Sequence, residues 1–399
     1  MICYMINNKY WIKSSYEHTF IDLFCGSGGL SLGFNRAGFK CELAIDFDKS
    51  CIQTFSHNHP NIDDSRILAE DIHNQTTTNW NEYDFLTDKI DILCGGPPCQ
   101  GFSTANRQRL IDDPRNKLYK DFIHSVKVFK PKFALMENVS GIFQRKDEII
   151  ADFQSIGYNG TCVKLNAEDF NIPQRRRRVF FIMYNKKKID ISSDRFISVL
   201  NHSINSIKSP LKFKLKHAII DLPKLEAKNL KNSTDLENDK FGYFKTKNSK
   251  TPSEYSIYIN GNNKPVPHIY NHKSRYNNER DIKIYSLLKQ GEDSSSDSIK
   301  DINPYSNRKN IFKDKFYKLK EDEVSKTITA HMKFDCHMYI HPNQARGLTP
   351  REAARIQTYP DSYVFVGPYT KWYMQIGNSV PPILAYKLAN IIKQFLNEA

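Results

Sequence analysis

The sequence contains 399 residues, 39% of them hydrophobic, and its 58 lysines and arginines outnumber its 44 aspartates and glutamates to give a net charge of +14. This length allows one large domain or two smaller ones, and this charge favours a polyanionic partner, although a solvated basic surface gives the same balance. The sequence lacks an apolar run long enough to span a membrane, an apolar signal-peptide core at the N-terminus, a CxxC pair among its eight cysteines, and any repeated metal-ligand spacing. We therefore expect a reduced, cytoplasmic protein without a metal ion.

The first half of the chain predicts an α/β fold. Residues 18–185 alternate short apolar runs with helical patterns, which is typical of a mostly parallel sheet. Helices are expected after Gly29 and across residues 118–129 and 149–156, ending near Gly38, Pro131 and Gly157 respectively. The predicted strands are 20–24, 42–46, 90–94, 133–137, 161–165 and 179–184.

A glycine-rich segment, Phe24-Cys25-Gly26-Ser27-Gly28-Gly29, follows the first predicted strand and opens the first predicted helix. Its glycines allow a tight turn and a close approach of the backbone to a ligand; the less favoured alternative is that they serve the turn alone. Asp46 ends the second predicted strand, near the spacing of an acid that binds ribose hydroxyls. Because no phosphate-cradling Gly-Lys-Ser/Thr is present, we interpret this as a nucleoside site, with a dinucleotide site as the alternative.

Residues 95–103 read Gly-Gly-Pro-Pro-Cys-Gln-Gly-Phe-Ser, with Cys99 at their centre. The two glycines and two prolines force the chain to leave the preceding strand sharply and hold Cys99 at the edge of the sheet. A lone cysteine is usually a small buried hydrophobe. Ligands of open α/β sheets bind at this edge, however, so a thiol fixed there suits nucleophilic attack.

Glu137-Asn138-Val139 ends the fourth predicted strand, so Glu137 is expected to point into the same cleft as Cys99. It could act there as a general acid or as a hydrogen-bond partner of a heterocycle, whereas the plainer alternative is a solvated loop residue.

The run Gln174-Arg175-Arg176-Arg177-Arg178 precedes the last predicted strand. Strand alternation would place every second residue from Gln174 on one face and the other two arginines on the opposite face. One face could then enter the cleft while the other meets phosphates; a basic surface patch is the simpler alternative.

The second half of the sequence differs in character. Residues 186–335 are polar, rich in lysine and asparagine and weakly periodic, but their persistent aromatic residues favour a loop-rich domain over disorder. Thr349-Pro350-Arg351-Glu352 has the pattern of a capping box at a helix start. A last helix follows Pro381-Pro382, and its apolar face requires a partner such as the sheet. The sequence thus predicts a discontinuous α/β domain with a second domain inserted.

Together these motifs resemble the DNA (cytosine-5)-methyltransferase family in its bacterial restriction-modification form. The glycine loop is similar to the family's cofactor motif, and residues 96–100 are similar to its nucleophile motif. The Glu137 and Gln174-x-Arg176-x-Arg178 motifs are similar to its third and fourth signatures. Residues 346–357 resemble the motif that supports target recognition, and residues 375–382 resemble the motif that closes the cofactor site. All six occur in the family's order.

The resemblance implies a Rossmann-like, S-adenosylmethionine-dependent methyltransferase domain of residues 1–185 and 370–399. A smaller, loop-rich target-recognition domain, residues 186–369, would be inserted into it. The implied reaction moves a methyl group from S-adenosylmethionine to carbon 5 of a cytosine flipped out of double-stranded DNA, through an adduct of Cys99 at carbon 6.

The resemblance also assigns roles to individual residues of this sequence. Asp46 stands where glutamate is more usual, and Asp71-Ile72 fits the family's adenine-contacting pair only loosely. The catalytic residues would be Cys99, Glu137, Arg178 and, in support, Arg176. The cofactor-binding residues would be Phe24, Gly26, Gly28, Gly29, Asp46, Phe47, Asp71, Ile72, Pro98, Leu118, Asn378 and Ser379. The DNA-binding residues would be Gln100, Ser103, Arg107, Arg109 and Gln174.

Three other functions compete with this one. One branch of the family methylates tRNA, and a catalytically silent DNA-binding relative would use the same fold. A nicotinamide-dependent dehydrogenase explains neither the Pro-Pro-Cys-Gln turn nor the arginine run. Under the leading hypothesis we expect a monomer. It would be the functional partner of a restriction endonuclease but would form no stable complex with that enzyme.

Overall fold

The computed structural model describes residues 15–78, 80–98, 118–229, 244–245, 252–261, 268–306 and 313–398. They divide into two units by their contacts. The sheet unit comprises the described residues of 15–170, 177–210 and 379–398, and the second unit those of 171–176 and 211–378. The predicted division into catalytic and target-recognition domains is one of function and stays a prediction.

A seven-stranded sheet forms the sheet unit, in the order β3-β2-β1-β4-β5-β7-β6. The neighbours from β3 to β5 pair in parallel, whereas β7 is antiparallel to both β5 and β6. This confirms the predicted α/β fold with a mostly parallel sheet. All six predicted strands are present, and the added strand, β3, has only two residues. The strands are β1 His18–Leu23, β2 Phe39–Ile45, β3 Ile67–Leu68, β4 Ile92–Gly95, β5 Phe133–Val139, β6 Tyr158–Asn166 and β7 Arg177–Asn185.

Helices pack against the sheet and against one another. The C-terminal helix packs on the first one so closely that a Cβ atom on Gly33 would lie 2.4 Å from Ala385 Cβ. It also brings the Phe395 ring against Phe133 of β5, with ring centres 6.1 Å apart, as its apolar face predicted. The helices of this unit are α1 Gly29–Ala37, α2 Lys49–Asn58, α3 Ile72–Thr77, α4 Leu118–Phe129, α5 Lys146–Ser155, α6 Ser193–Ser206 and α12 Pro382–Glu398.

The second unit contains mostly short elements joined by loops. Its helices are α7 Leu215–Ile219, α8 Glu254–Asn260, α9 Glu279–Leu287, α10 Pro350–Ile356 and α11 Tyr369–Asn378, and a two-stranded sheet pairs β8 Phe244–Lys245 with β9 His268–Ile269.

Buried charges stabilise the start of α10. The Arg346 guanidinium donates to both carboxylate oxygens of Glu352, at 2.8 and 2.7 Å, and both side chains are almost fully buried. Glu352 also accepts the Thr349 backbone N–H at 2.7 Å, while the Thr349 hydroxyl accepts the Glu352 N–H. The predicted capping box is therefore present. Since one buried charge without its partner would be strongly destabilising, Arg346 and Glu352 depend on each other.

Two histidines beside this ion pair remain neutral. His341 Nε2 lies 3.6 Å from Glu352 Oε1, but burial lowers the pKa of His341 to about 4, and the nearby Arg346 charge opposes its protonation further. Burial also lowers the pKa of His272 to about 4, and its ring bonds to Thr349 Oγ1 and to the Pro223 carbonyl oxygen.

These histidines predict a loss of stability in mild acid. Burial lowers the pKa of His59 to about 3, so three buried histidines bind protons in the unfolded chain between pH 6.5 and 4 but not in the folded one. Stability is therefore lost as the pH falls through this window. Asp22 acts in the opposite direction, because burial raises its pKa from 3.8 to about 7, but one carboxyl group offsets only one histidine.

We expect the midpoint of thermal unfolding to change little from pH 8 to 6.5 and to fall steadily from pH 6.5 to 5. A His341→Gln variant, which cannot take up the proton, should show a shallower fall, while His202→Gln, at an exposed site on α6, should match the wild type. A wild-type midpoint that stays constant down to pH 5 would contradict the account.

Candidate active site

The carboxyl ends of β1, β2, β4 and β5 meet at one edge of the sheet. Leu23 of β1 pairs with Gly95 of β4, which in turn pairs with Met136 of β5. The glycine loop, Asp46, the turn after β4 and Glu137 are consequently brought to the same edge, as the alternating pattern predicted.

Asp46 is hydrogen-bonded to the backbone of the glycine loop. Its Oδ2 atom accepts the Gly26 backbone N–H at 2.9 Å, and its Oδ1 atom accepts the Asp48 N–H at 2.9 Å. Gly26 and Gly28 have positive φ angles of 53° and 85°. Among the described residues, no atom would lie within 4 Å of a Cβ atom on Gly26.

The described residues of this loop fit a nucleoside cofactor that carries a carboxylate. Helix α1 begins at Gly29 without a side-chain cap and without an acidic residue in its first turn, so its partially positive N-terminus can attract an anion. Beyond Asp46, the Phe47 ring is 71% exposed and offers an apolar face for a purine. S-adenosylmethionine has an amino-acid carboxylate, a ribose and an adenine, and lacks phosphates, so it matches these groups.

A buried acid beneath the loop was not predicted from the sequence. Asp22 of β1 accepts a hydrogen bond from Ser31 Oγ at 2.6 Å, while its Oδ1 atom has no partner among the described residues. Burial raises the pKa of Asp22 to about 7, against the opposing effect of the Ser31 hydrogen bond. A carboxylate in the middle of the apolar run Phe-Ile-Asp-Leu-Phe was the available signal.

At the end of β4 and in the turn that follows, the backbone passes so close to its neighbours that a side chain on Gly95 or Gly96 would be crowded. A Cβ atom on Gly95 would lie 2.1 Å from the Leu23 carbonyl oxygen, and one on Gly96 would lie 3.2 Å from Glu137 Oε2. Asn138 Nδ2 donates to the Pro97 carbonyl oxygen at 2.9 Å. Asn138 anchors the chain at Pro97, two residues before Cys99 in the sequence, a role that was not predicted.

Glu137 and Arg178 form the charged part of the site. Arg178, at the start of β7, pairs in register with Val139 of β5, and its Nε atom lies 3.0 Å from Glu137 Oε1. The contact is an ion pair without hydrogen-bond alignment, since this Oε1 atom accepts no hydrogen bond among the described residues. Both side chains are largely buried. A carboxyl group beside a guanidinium can contact both a ring nitrogen and a ring carbonyl of a heterocycle.

Residues 174–176 of this motif lie in the second unit, whereas Arg177 begins β7 of the sheet unit. Gln174 and Arg176 are buried, whereas Arg175 and Arg177 are exposed, in the alternation that the sequence predicted. Gln174 Oε1 accepts the Ile328 N–H at 2.8 Å, and its amide nitrogen donates to the side chain of Gln357.

Arg176 donates to the carbonyl oxygens of Ile328, at 2.9 Å, and Gly377, at 3.2 Å. Gln174 and Arg176 therefore hold residues 325–328 in place. The DNA contact of Gln174 and the catalytic support of Arg176 stay predictions.

The remaining predicted residues occupy varied positions. Asp71 is exposed and accepts the His73 N–H at the start of α3, while Ile72 is buried. Pro98 and Leu118 are half-buried, on either side of a segment outside the described residues. Asn378 is exposed at the end of α11, and Ser379 is half-buried. Cys99, Gln100, Ser103, Arg107 and Arg109 lie outside the described residues.

Within the described ranges, no group of three or more histidine, cysteine, aspartate or glutamate residues could hold a metal ion. No helix in this part of the chain is long and apolar enough to cross a membrane.

A mostly parallel sheet with a nucleoside-type loop after β1 and a Glu–Arg pair beside the turn after β4 is the arrangement expected of an α/β methyltransferase. Residues 18–394 match the family model of C-5 cytosine-specific DNA methylases, and the chain belongs to this family. It is therefore a DNA (cytosine-5)-methyltransferase that uses S-adenosylmethionine.

Relatives match along almost the whole chain. The type II methyltransferase M.DdeI of Desulfomicrobium norvegicum is 35% identical over 94% of this chain and 88% of its own length. The type II methyltransferase M1.HphI of Haemophilus parahaemolyticus is 32% identical over 95% and 88%. A solved structure of a prophage-encoded E. coli protein, described as a DNA modification methyltransferase, has a TM-score of 0.69 at 29% identity and covers 96% of this chain and 100% of its own.

The anchor at Asn138 predicts a specific catalytic defect. Asn138→Ala removes the bond to Pro97, and since one hydrogen bond is worth about 1 kcal/mol net, we expect turnover to fall roughly five- to tenfold. The stabilisation of the protein by S-adenosylhomocysteine should be unchanged.

Asn159→Ala is the matched control, because Asn159 lies on β6 and bonds to Ser193 Oγ near the surface. Full turnover of Asn138→Ala, or an equal loss in the control, would remove Asn138 from the site.

Proposed function

We propose that this enzyme methylates carbon 5 of a cytosine flipped out of double-stranded DNA at a specific sequence, and that Cys99 is its nucleophile. The observation that supports these roles is the Glu137–Arg178 pair next to the Gly95–Pro98 turn that leads into Cys99.

The reaction needs a nucleophile because carbon 5 of an aromatic pyrimidine is itself a poor one. The Cys99 thiolate adds to carbon 6. Glu137 takes up a proton from solvent as the base binds, passes this proton to the ring nitrogen N3 and accepts a hydrogen bond from the neighbouring amino group. Arg178 donates to the ring carbonyl oxygen and thereby stabilises the electron density that builds up on addition. The ring becomes an enamine in which carbon 5 is nucleophilic.

When bound, S-adenosylmethionine supplies an electrophilic methyl group for carbon 5. The glycine loop and the N-terminus of α1 would hold its amino-acid end, Asp46 its ribose, and Phe47 its adenine. Once carbon 5 carries the methyl group, its proton passes to a water molecule. The electron pair left behind forms the 5,6 double bond as the carbon–sulfur bond breaks and the thiolate leaves. Glu137 takes back the proton from N3 and releases it to solvent, which restores the carboxylate beside Arg178.

The target base has to leave the duplex, because neither face of a stacked ring can be reached by a thiol. The charge of +14 suits a polyanionic substrate. Arg107 and Arg109, with Gln100 and Ser103, lie in the segment after Cys99 and would contact DNA around the extruded base.

The relatives named above are type II methyltransferases, which supports a protective role beside a restriction endonuclease of the same specificity. The free state of the six described cysteines suits the cytoplasm. We infer a monomer that forms no stable complex with the endonuclease.

Cys99→Ser tests the nucleophile. We expect turnover to fall by more than about 100-fold, because a hydroxyl is far less ionised than a thiol, with DNA and S-adenosylhomocysteine binding retained. Cys162→Ser is the matched control, since Cys162 is a half-buried free thiol on β6 of the same unit.

The covalent adduct can be tested with a duplex that contains the recognition sequence, in which 5-fluorocytosine replaces the target cytosine. Fluorine takes the place of the hydrogen that carbon 5 must lose as a proton, so the elimination that releases the enzyme is blocked. Wild-type protein should therefore remain attached to the DNA on a denaturing gel, and Cys99→Ser should not. Full activity of Cys99→Ser would refute the role.

A further inference from the structure

We propose that Phe334 is a DNA-contacting residue, which inserts its ring against the bases, and that Arg275 is the residue that positions it. This inference rests on the proposed function, since it takes DNA as the substrate.

Phe334 is an unusual surface residue. Its side chain is 63% exposed, although both flanks of its turn are anchored in the interior by fully buried Met332 and Cys336. A ring that is mostly exposed contributes little apolar burial to folding, and a partner that covered it would bury the remaining apolar surface.

Arg275 fixes the backbone of this turn. Its guanidinium donates to three consecutive carbonyl oxygens, those of Met332 at 2.9 Å, Lys333 at 3.1 Å and Phe334 at 2.6 Å. The guanidinium carbon also lies 6.0 Å from the centre of the buried Tyr373 ring. A planar cation with a fixed fork of donors can serve three carbonyls at once, which the single ammonium group of lysine does less well.

The base of the turn is rigid as well. A Cβ atom on Gly377 of α11 would lie 2.2 Å from the Thr329 carbonyl carbon, so α11 supports the chain directly. Residues 325–328, immediately before, are held by Gln174 and Arg176. The Phe334 ring is therefore presented from a turn supported on three sides.

The surroundings of the ring favour a polyanion. Lys333 Nζ lies 4.8 Å from the ring centre, and the His331 ring lies 5.4 Å away. Asp335 is the acid of this turn, and Lys315 neutralises it at 2.8 Å; His331 Nε2 also lies 4.0 Å from it. An apolar ring beside the ammonium group of Lys333 matches a nucleic acid, in which stacked bases lie between phosphates.

Affinity for DNA tests the contact. The probe is a duplex with the site that bisulfite sequencing identifies for the wild type. Phe334→Ala should weaken binding about 10- to 100-fold, the loss typical of one base-stacking aromatic residue, and Phe334→Trp should retain binding within about threefold. S-adenosylhomocysteine should stabilise every variant equally. Phe85→Ala, at an exposed phenylalanine of the sheet unit, is the control and should bind normally.

A double variant tests whether Arg275 acts on DNA binding through Phe334. Arg275→Lys should weaken DNA binding in the wild-type background but cause no further loss in Phe334→Ala, because the positioned ring is then absent. Additive losses would assign Arg275 a merely structural role.

Phe334→Ala with wild-type affinity would overturn the inference while leaving the proposed function intact. Failure of the wild type to methylate DNA would instead overturn the proposed function.

Discussion

The active site depends on how closely β4 passes β1 at the carboxyl edge of the sheet. With only 2.1 Å between the Leu23 carbonyl oxygen and the position of a Cβ atom on Gly95, the strand can reach this edge only without a side chain. The chain then turns over Gly96, which leaves just enough room for the Glu137 carboxylate, and is anchored by Asn138 through Pro97. Glycine at these positions thus lets the backbone of Gly96 and Pro97 pass close to Glu137 and Asn138.

Charge is used differently in the two units. In the sheet unit, one largely buried ion pair, Glu137–Arg178, is available to a substrate at the edge of the sheet. In the second unit, buried arginines bind other groups of the protein: Arg346 binds Glu352, and Arg176 binds carbonyl oxygens. Buried ion pairs contribute little net stability compared with apolar packing, but they enforce one arrangement of their partners. We interpret them as devices that fix loops which few apolar contacts could hold.

The elements of the sheet could be predicted because local periodicity encodes them. Six strands and the glycine loop followed from short apolar runs and turn residues, whereas β3 is too short to show a period. Pattern could place Glu137 and Arg178 at one edge, since both end or begin strands. It could not reveal their distance, because the antiparallel pairing of β5 and β7 is a long-range contact.

Roles that depend on distant partners were missed for the same reason. Asn138 acts through Pro97, 41 residues away, and Gln174 and Arg176 act on Ile328, more than 150 residues away. Phe334 lies in a weakly periodic stretch, where nothing local separates an exposed aromatic residue from a buried one.

The helix α6 belongs to the sheet unit because Phe196 packs against Phe133 and Phe395.

The most direct test of the central claim is methyl transfer from labelled S-adenosylmethionine to mixed genomic DNA and, in parallel, to bulk tRNA, followed by bisulfite sequencing of the DNA. We predict label in DNA alone, as 5-methylcytosine within one short recurring sequence. Label in tRNA alone, or no label in either while S-adenosylhomocysteine still raises the unfolding midpoint, would contradict the account.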